Sequence, residues 1–76
     1  MAVAAGHFAQ ARRLAEAVVT VDPYREAAWR LLMKLAHALG DNDRVIAAFR
    51  SCEHALAELG ARPSTTTLTL LRDFRT

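Results

Sequence analysis

Residues 21–41 read VDPYREAAWRLLMKLAHALGD. Asp22-Pro23 is a helix-start signal. An aspartate carboxylate can accept from a free backbone N–H at an N-cap, and proline loses nothing at the first helical position. Glu26 adds negative charge to the first turn. Glu26 and Arg30 form an i,i+4 pair in the favourable order, worth about 0.3–0.5 kcal/mol. Gly40 supplies a C-terminal stop. The stretch therefore predicts a helix over 23–39. At 100° per residue, Ala28, Trp29, Leu31, Leu32, Met33, Leu35, Ala36, Ala38 and Leu39 cover an arc of roughly 220°. An ordinary surface helix buries a stripe nearer ~100°. This helix must be covered on two sides, which makes it the centre of a stack of helices.

The neighbours follow on either side. Upstream, Phe8, Ala11, Leu14, Ala15 and Val18 recur at three- and four-residue steps, which predicts a helix over 3–20. Gly6 weakens its start, and a beginning near His7 is the alternative. Downstream, Asp41 or Asn42 caps a helix over 43–59, with Val45, Ala48, Phe49, Cys52, Leu56 and Leu59 on one stripe. Gly60 ends it. The run ARPS at 61–64 reads as a turn, and Ser64 as the N-cap of a short helix over 65–74 presenting Leu70, Leu71 and Phe74. A helix so short, with three threonines, is ordered only if it docks. The short connections predict antiparallel neighbours.

Helices one and three share a spacing. Gly6 and Gly40, Ala11 and Val45, Ala15 and Phe49, and Val18 and Cys52 are each separated by the 34-residue period of the tetratricopeptide repeat, a helix–turn–helix unit. The pattern G-x-F-x-x-A-x-x-x-A-x-x-V-x-x-x-x-P resembles the second helix of such a repeat, and Trp29, Leu32 and Ala36 resemble the first helix of the next. The expected fold is all-α: antiparallel helix pairs in a tetratricopeptide-like right-handed stack of about four helices, forming one partial domain over 1–76. Its expected core is Phe8, Ala11, Ala15, Val18, Trp29, Leu32, Ala36, Val45, Phe49, Cys52, Leu56 and Leu59. Such stacks need about three repeats. One face of helix one is therefore expected to lie uncovered, with Phe8, Leu14 or Val18 as contributors, and the isolated chain is not expected to be a well-behaved monomer.

Composition narrows the function. With 53% hydrophobic and 24% charged residues, the composition argues against disorder. A net charge of +2, with basic residues scattered, gives no concentrated duplex-binding face. A single cysteine permits no internal disulfide and fits a reducing cytoplasm. The opening residues lack a signal-peptide pattern, and no apolar run approaches the ~20 residues that span a bilayer. The surplus of arginine over lysine and the richness in alanine point by association to a bacterial, GC-rich genome.

No constellation of catalytic residues is legible. His7, His37 and His54 have no second ligand at the i,i+4 spacing of helical metal sites. Cys52 and His54 point to different faces, and Cys52 reads as a small core residue. Asp41-Asn42-Asp43 lacks the turn glycine and distal glutamate of a calcium loop. No G-x-S-x-G or phosphate-binding glycine loop is present. No enzyme activity, metal or cofactor is expected. The candidate binding residues are the polar stripe of the central helix, Glu26, Arg30, Lys34 and His37. In tetratricopeptide arrays the first helix of each pair lines the concave face, where Arg30 and Lys34 could meet an acidic partner segment. The bland alternative is a solvated strip.

The order of signals carries a closer resemblance. G-H-F-A-Q-A, V-D-P-Y-R-E, L-L-M-K-L-A-H-A-L-G-D and A-L-A-E-L-G-A-R-P-S, over residues 6–72, resemble the C-terminal part of the bacterial transcriptional activator domain of the Streptomyces antibiotic regulatory protein family. In that family a winged-helix DNA-binding domain precedes a tetratricopeptide-like helical domain. The resemblance implies a cytoplasmic, noncatalytic interaction or oligomerisation module involved in transcription regulation. Its expected partners are protein: a second copy, or other domains of a regulator. No winged-helix segment and no counterpart of the family's early helices is read here, so a fragment or truncated frame is expected. Direct DNA binding does not carry over to this segment. A free-standing tetratricopeptide adaptor that binds a partner peptide is the alternative.

Overall fold

The computed structural model describes residues 5–75, with side chains from His7 onward. It holds four helices: α1 (Ala5–Val21), α2 (Glu26–Ala38), α3 (Asn42–Ala57) and α4 (Thr65–Arg75). The described residues contain no strand. The all-α architecture matches the expectation and fits a tetratricopeptide-like stack. Positions 3 and 4 of the expected first helix lie outside the described residues.

The molecule measures 39 × 31 × 18 Å. Two helices of ~10 Å diameter fill that shortest dimension, so every helix keeps one side near solvent. α2 is the hub: it packs against α1, α3 and α4, whereas α1 packs against α2 alone among the described elements. The wide apolar arc of α2 is thus covered on more than one side, and this is why it tolerates so few polar positions.

Local chemistry sets the helix ends. α2 begins three residues later than the expected start at Pro23. Asp22 does not cap it. Its Oδ1 accepts instead from the Tyr24 N–H at 3.2 Å, while its carbonyl accepts from the Arg25 N–H at 3.2 Å. The chain spends Asp-Pro on a turn, and α2 starts from Arg25 with no side-chain cap. Asp41 does cap α3, accepting from the Arg44 N–H at 3.1 Å. Gly40 and Gly60 close α2 and α3 with positive φ of 73° and 69°. After each, the next N–H reaches back into the helix, Asp41 to the Ala36 carbonyl and Ala61 to that of Leu56. These bonds satisfy carbonyls a helix end otherwise leaves open. α3 accordingly ends at Ala57 rather than at the expected 59.

The core centres on Met33, Ala36, Val45 and Phe49, with Ala48, Leu70, Leu71 and Phe74 packed against it. Of the expected core, Ala15, Ala36, Val45, Phe49, Cys52 and Leu56 are buried, and Phe8, Ala11, Trp29 and Leu32 are half-buried. Two positions differ. Leu59 is 60% exposed because it lies beyond the end of α3 in the turn before Gly60. Val18 is 38% exposed while its neighbour Val19 is buried. The reason is rotation: α1 presents Ala15 and Val19 to α2, about 120° around the helix from Leu14, Val18 and Val21. Met33, Ala28, Ala55 and Thr67 are buried positions not on the expected list.

Candidate interaction surface

The polar stripe of α2 faces α4, and α4 occupies it. The Glu26 carboxylate accepts from the Ser64 N–H at 2.7 Å and the Ser64 hydroxyl at 2.8 Å, and also from the Thr67 hydroxyl. Arg30 donates to Thr67 Oγ1 at 3.0 Å and lies 3.6 Å from the Glu26 carboxylate. Thr67 is fully buried. Ser64 also caps α4, its Oγ accepting from the Thr67 N–H at 3.4 Å. Burial by itself would raise the Glu26 carboxyl, but donation from Thr67 and Ser64 and the charge of Arg30 together outweigh it and hold it below the usual range. Two turns beyond Arg30, the His37 ring stacks on Phe74 with centroids 3.9 Å apart and planes 7° from parallel. Three of the four stripe residues thus hold α4 in place, and Lys34 stands exposed. A sequence has no direct signal for this clasp. The nearest is Ser64-x-x-Thr67 at the start of a threonine-rich helix, facing an acid on the helix two before it.

On another side of α2 the surface is open. α1 and α3 stand apart, leaving an apolar groove of about 430 Å³. Trp29, Leu32, Leu35 and Leu39 form its floor, with Phe8 and Ala9 on one wall and Ala47 and Ala48 on the other. The small alanines widen it. Trp29 also lines a second depression beside Val19, Pro23 and His54. Its indole N–H donates to the Pro23 carbonyl at 2.7 Å, so the ring is fixed as a partition between the two. Arg12 borders the first groove, its Nε buried without a hydrogen-bond partner and 3.8 Å from Glu16.

The other flank of α1 carries a ridge. Leu14 is 62% and Val21 is 87% exposed, with Val18 between them. Across the stack, the turn before α2 is tied to the end of α3: the Tyr24 hydroxyl donates to Glu58 at 3.0 Å. That hydrogen bond raises the Tyr24 phenol above its ordinary value.

The remaining reactive groups do not assemble. No cluster of three or more His, Cys, Asp and Glu able to hold a metal occurs among the described residues. Burial pushes the Cys52 thiol up to about 11, away from a nucleophilic thiolate. No described helix is long and apolar enough to cross a membrane.

An all-α stack of helices built around one central helix is consistent with the tetratricopeptide-like scaffolds. Comparison with protein families is more specific. The family model described as the bacterial transcriptional activator domain matches residues 1–75. The chain belongs to the bacterial transcriptional activator domain family. Comparisons with curated proteins and with solved structures yield no match.

Proposed function

We propose that the chain is a noncatalytic protein-interaction module of a bacterial transcription regulator. It acts by packing, offering apolar helix surfaces to a second copy or to other domains of a regulator. The observation that carries this reading is the apolar surface left open on α1: the Leu14–Val18–Val21 ridge on one flank and the groove toward α3 on the other. Contiguous apolar surface of this kind marks contact sites in soluble proteins. The family match supports the link to transcription. The closer relation to the C-terminal part of the domain in Streptomyces antibiotic regulatory proteins belongs to the same proposal and rests on the motif order.

The adaptor alternative relied on a peptide seated along Glu26, Arg30, Lys34 and His37. Because α4 already engages three of these, we favour contact through α1.

The test is a transcription reporter in bacterial cells, with the chain fused to a DNA-binding domain at an operator upstream of a weak promoter. Wild type is expected to raise transcription. Val18→Glu on the ridge and Ala47→Glu in the groove replace exposed side chains. At least one is expected to abolish the gain while the helical circular dichroism of the purified chain stays unchanged. No gain with wild type, or a gain indifferent to both substitutions, overturns the proposal.

A further inference from the structure

The groove between α1 and α3 holds an unanswered charge. Arg12 stands on its wall, and its Nε is buried with no hydrogen-bond partner. No other buried side-chain nitrogen or oxygen lacks a partner among the described residues. Glu16 is the acid beside it, but at 3.8 Å it lies beyond hydrogen-bond reach. A guanidinium cannot shed its proton. The Arg12 donor therefore calls for an acceptor that the described residues do not supply.

The lining says what should carry that acceptor. The floor of Trp29, Leu32, Leu35 and Leu39 is apolar. The charged side chains on the walls are Arg12 and Arg44 against Glu16 alone, a positive balance. Arg44 already has Asp41 at 3.2 Å, so Arg12 is the cation with capacity to spare. One negative head on an apolar body matches this arrangement. A cationic head would find only Glu16, which Arg12 already faces.

Size sets the class of occupant. The groove volume of about 430 Å³ falls within the ~300–1,000 Å³ of small-molecule sites. Two turns of helix, about 10 Å wide and ~11 Å long, fill roughly 850 Å³. A helix of any origin can lie over the groove but not in it. The floor from Trp29 to Leu39 is about 15 Å long at 1.5 Å per residue. That is room for an extended chain of roughly ten carbons, joined by bonds of ~1.5 Å.

We propose that the groove binds a small amphipathic carboxylic acid, its carboxylate on Arg12 and its aliphatic body on Leu32, Leu35 and Leu39. The inference goes beyond the protein-contact reading, which the α1 ridge can carry by itself. The carboxylate accepts a charge-assisted hydrogen bond from the guanidinium. Glu16, one turn after Arg12, repels it and turns the apolar body toward Phe8, one turn before. α1 and α3 have no contact of their own among the described elements, so the bound acid ties the two walls together.

Trp29 is the only tryptophan and lies on the groove floor, so its emission reports occupancy. Decanoate, decanol and decylammonium are titrated into the full chain below their micelle-forming concentrations. Decanoate should give a saturable change, half-complete on the order of 100 µM for so small a ligand. Decanol and decylammonium should bind at least tenfold more weakly. Arg12→Gln should weaken decanoate at least tenfold and leave decanol unchanged. Ala47→Phe, at an exposed position of the α3 wall, should block both by filling the groove. Circular dichroism verifies that each variant folds. Saturating decanoate should also slow amide exchange along α1. Decanol that binds as tightly as decanoate overturns the inference, as does an Arg12→Gln chain that binds decanoate like wild type. No saturable change at millimolar decanoate does the same. A midpoint that rises with chain concentration, at chain levels well below it, would put a second copy in the groove in place of the acid and overturns it too.

Discussion

Glu26→Ala should detach α4 without unfolding the rest. The carboxylate accepts from the Ser64 N–H, the Ser64 hydroxyl and the Thr67 hydroxyl, with Arg30 3.6 Å away. Ser64 is exposed, so its two donors can turn to water and their net loss is small. Thr67 is fully buried away from water, and the Ser64 hydroxyl at 3.5 Å is only a long second acceptor for it. Removing the acceptor from a buried donor costs about 1–3 kcal/mol. The side chains of Glu26 and Arg30 are 19% and 23% exposed, so the loss of their pairing adds less than a buried ion pair would. A total of about 2–3 kcal/mol follows. A domain of this size holds roughly 4–11 kcal/mol in all. An 11-residue helix has little stability of its own. The penalty should therefore fall on α4, which opens while α1–α3 persist.

Native-state hydrogen exchange reads this segment by segment. Amides of Leu70, Leu71 and Phe74 should exchange at least tenfold faster in Glu26→Ala, while those of Met33 and Phe49 slow down or speed up far less. Glu26 also predicts a pH dependence. Its folded carboxyl lies below the model value of 4.5. Its contribution is then fully present above 4.5 and is lost as pH falls through the lower folded value. Wild-type α4 should lose protection as pH falls below 4.5 and through the lower folded value, a loss that Glu26→Gln should not share. Unchanged α4 protection in Glu26→Ala, together with a stability loss under 0.5 kcal/mol, would refute the clasp.

Other substitutions probe the core and the caps. Met33→Ala should cost about 2–5 kcal/mol, since Met33 is fully buried at the hub. Trp29→Ala should cost less than a fully buried tryptophan, about 2–4 kcal/mol, because the ring is half-buried and loses one bond to Pro23. Urea melts followed by circular dichroism measure both, and a loss below 1 kcal/mol in Met33→Ala would contradict α2 as the centre. Gly60→Ala should cost about 1–2 kcal/mol from its left-handed φ of 69° alone, as a Cβ there meets nothing within 4 Å. Cys52 should react with a thiol reagent at pH 8 only as fast as the chain unfolds, and rapid stoichiometric labelling of the folded chain would contradict its burial.

The sequence discloses the helices better than what the helices do. Four helices and the glycine stops were readable because φ near +70° is a property of glycine itself. The α2 start was misread because Asp-Pro serves a turn as readily as a cap, and only the bond from the Tyr24 N–H decides between them. The stripe Glu26, Arg30, Lys34 and His37 was legible as one face of a helix. Its occupant was not. Thr67 meets Glu26 across 41 residues, and no local pattern announces a contact at that range. In a threonine-rich helix, poor intrinsic propensity concealed a buried hydroxyl that holds the helix in place.

Helix α1 carries the same lesson in another form. Its apolar residues run from Val21 and Leu14 through Val18 and Ala11 to Ala15, Phe8 and Val19, an arc of about 160°. Periodicity treats that arc as one face with one centre near Val18. The structure divides it. Ala15 and Val19 meet α2, and Leu14 and Val21 are left in solvent. A helix between two neighbours needs such a double face, as the arc of α2 demonstrates by meeting both α1 and α3. The width of an apolar arc therefore counts the neighbours a helix is made for, whereas its centre does not say where any one of them sits. On that count the arc of α1 exceeds what α2, its one neighbour among the described elements, covers. Substitution divides the two halves cleanly. Val19→Ala should lower stability by about 1–2 kcal/mol, as for a buried aliphatic side chain trimmed by two carbons. Val21→Ala, at a position 87% exposed, should leave stability within ~0.5 kcal/mol. Equal stability losses for the two would mean that α1 has one face after all.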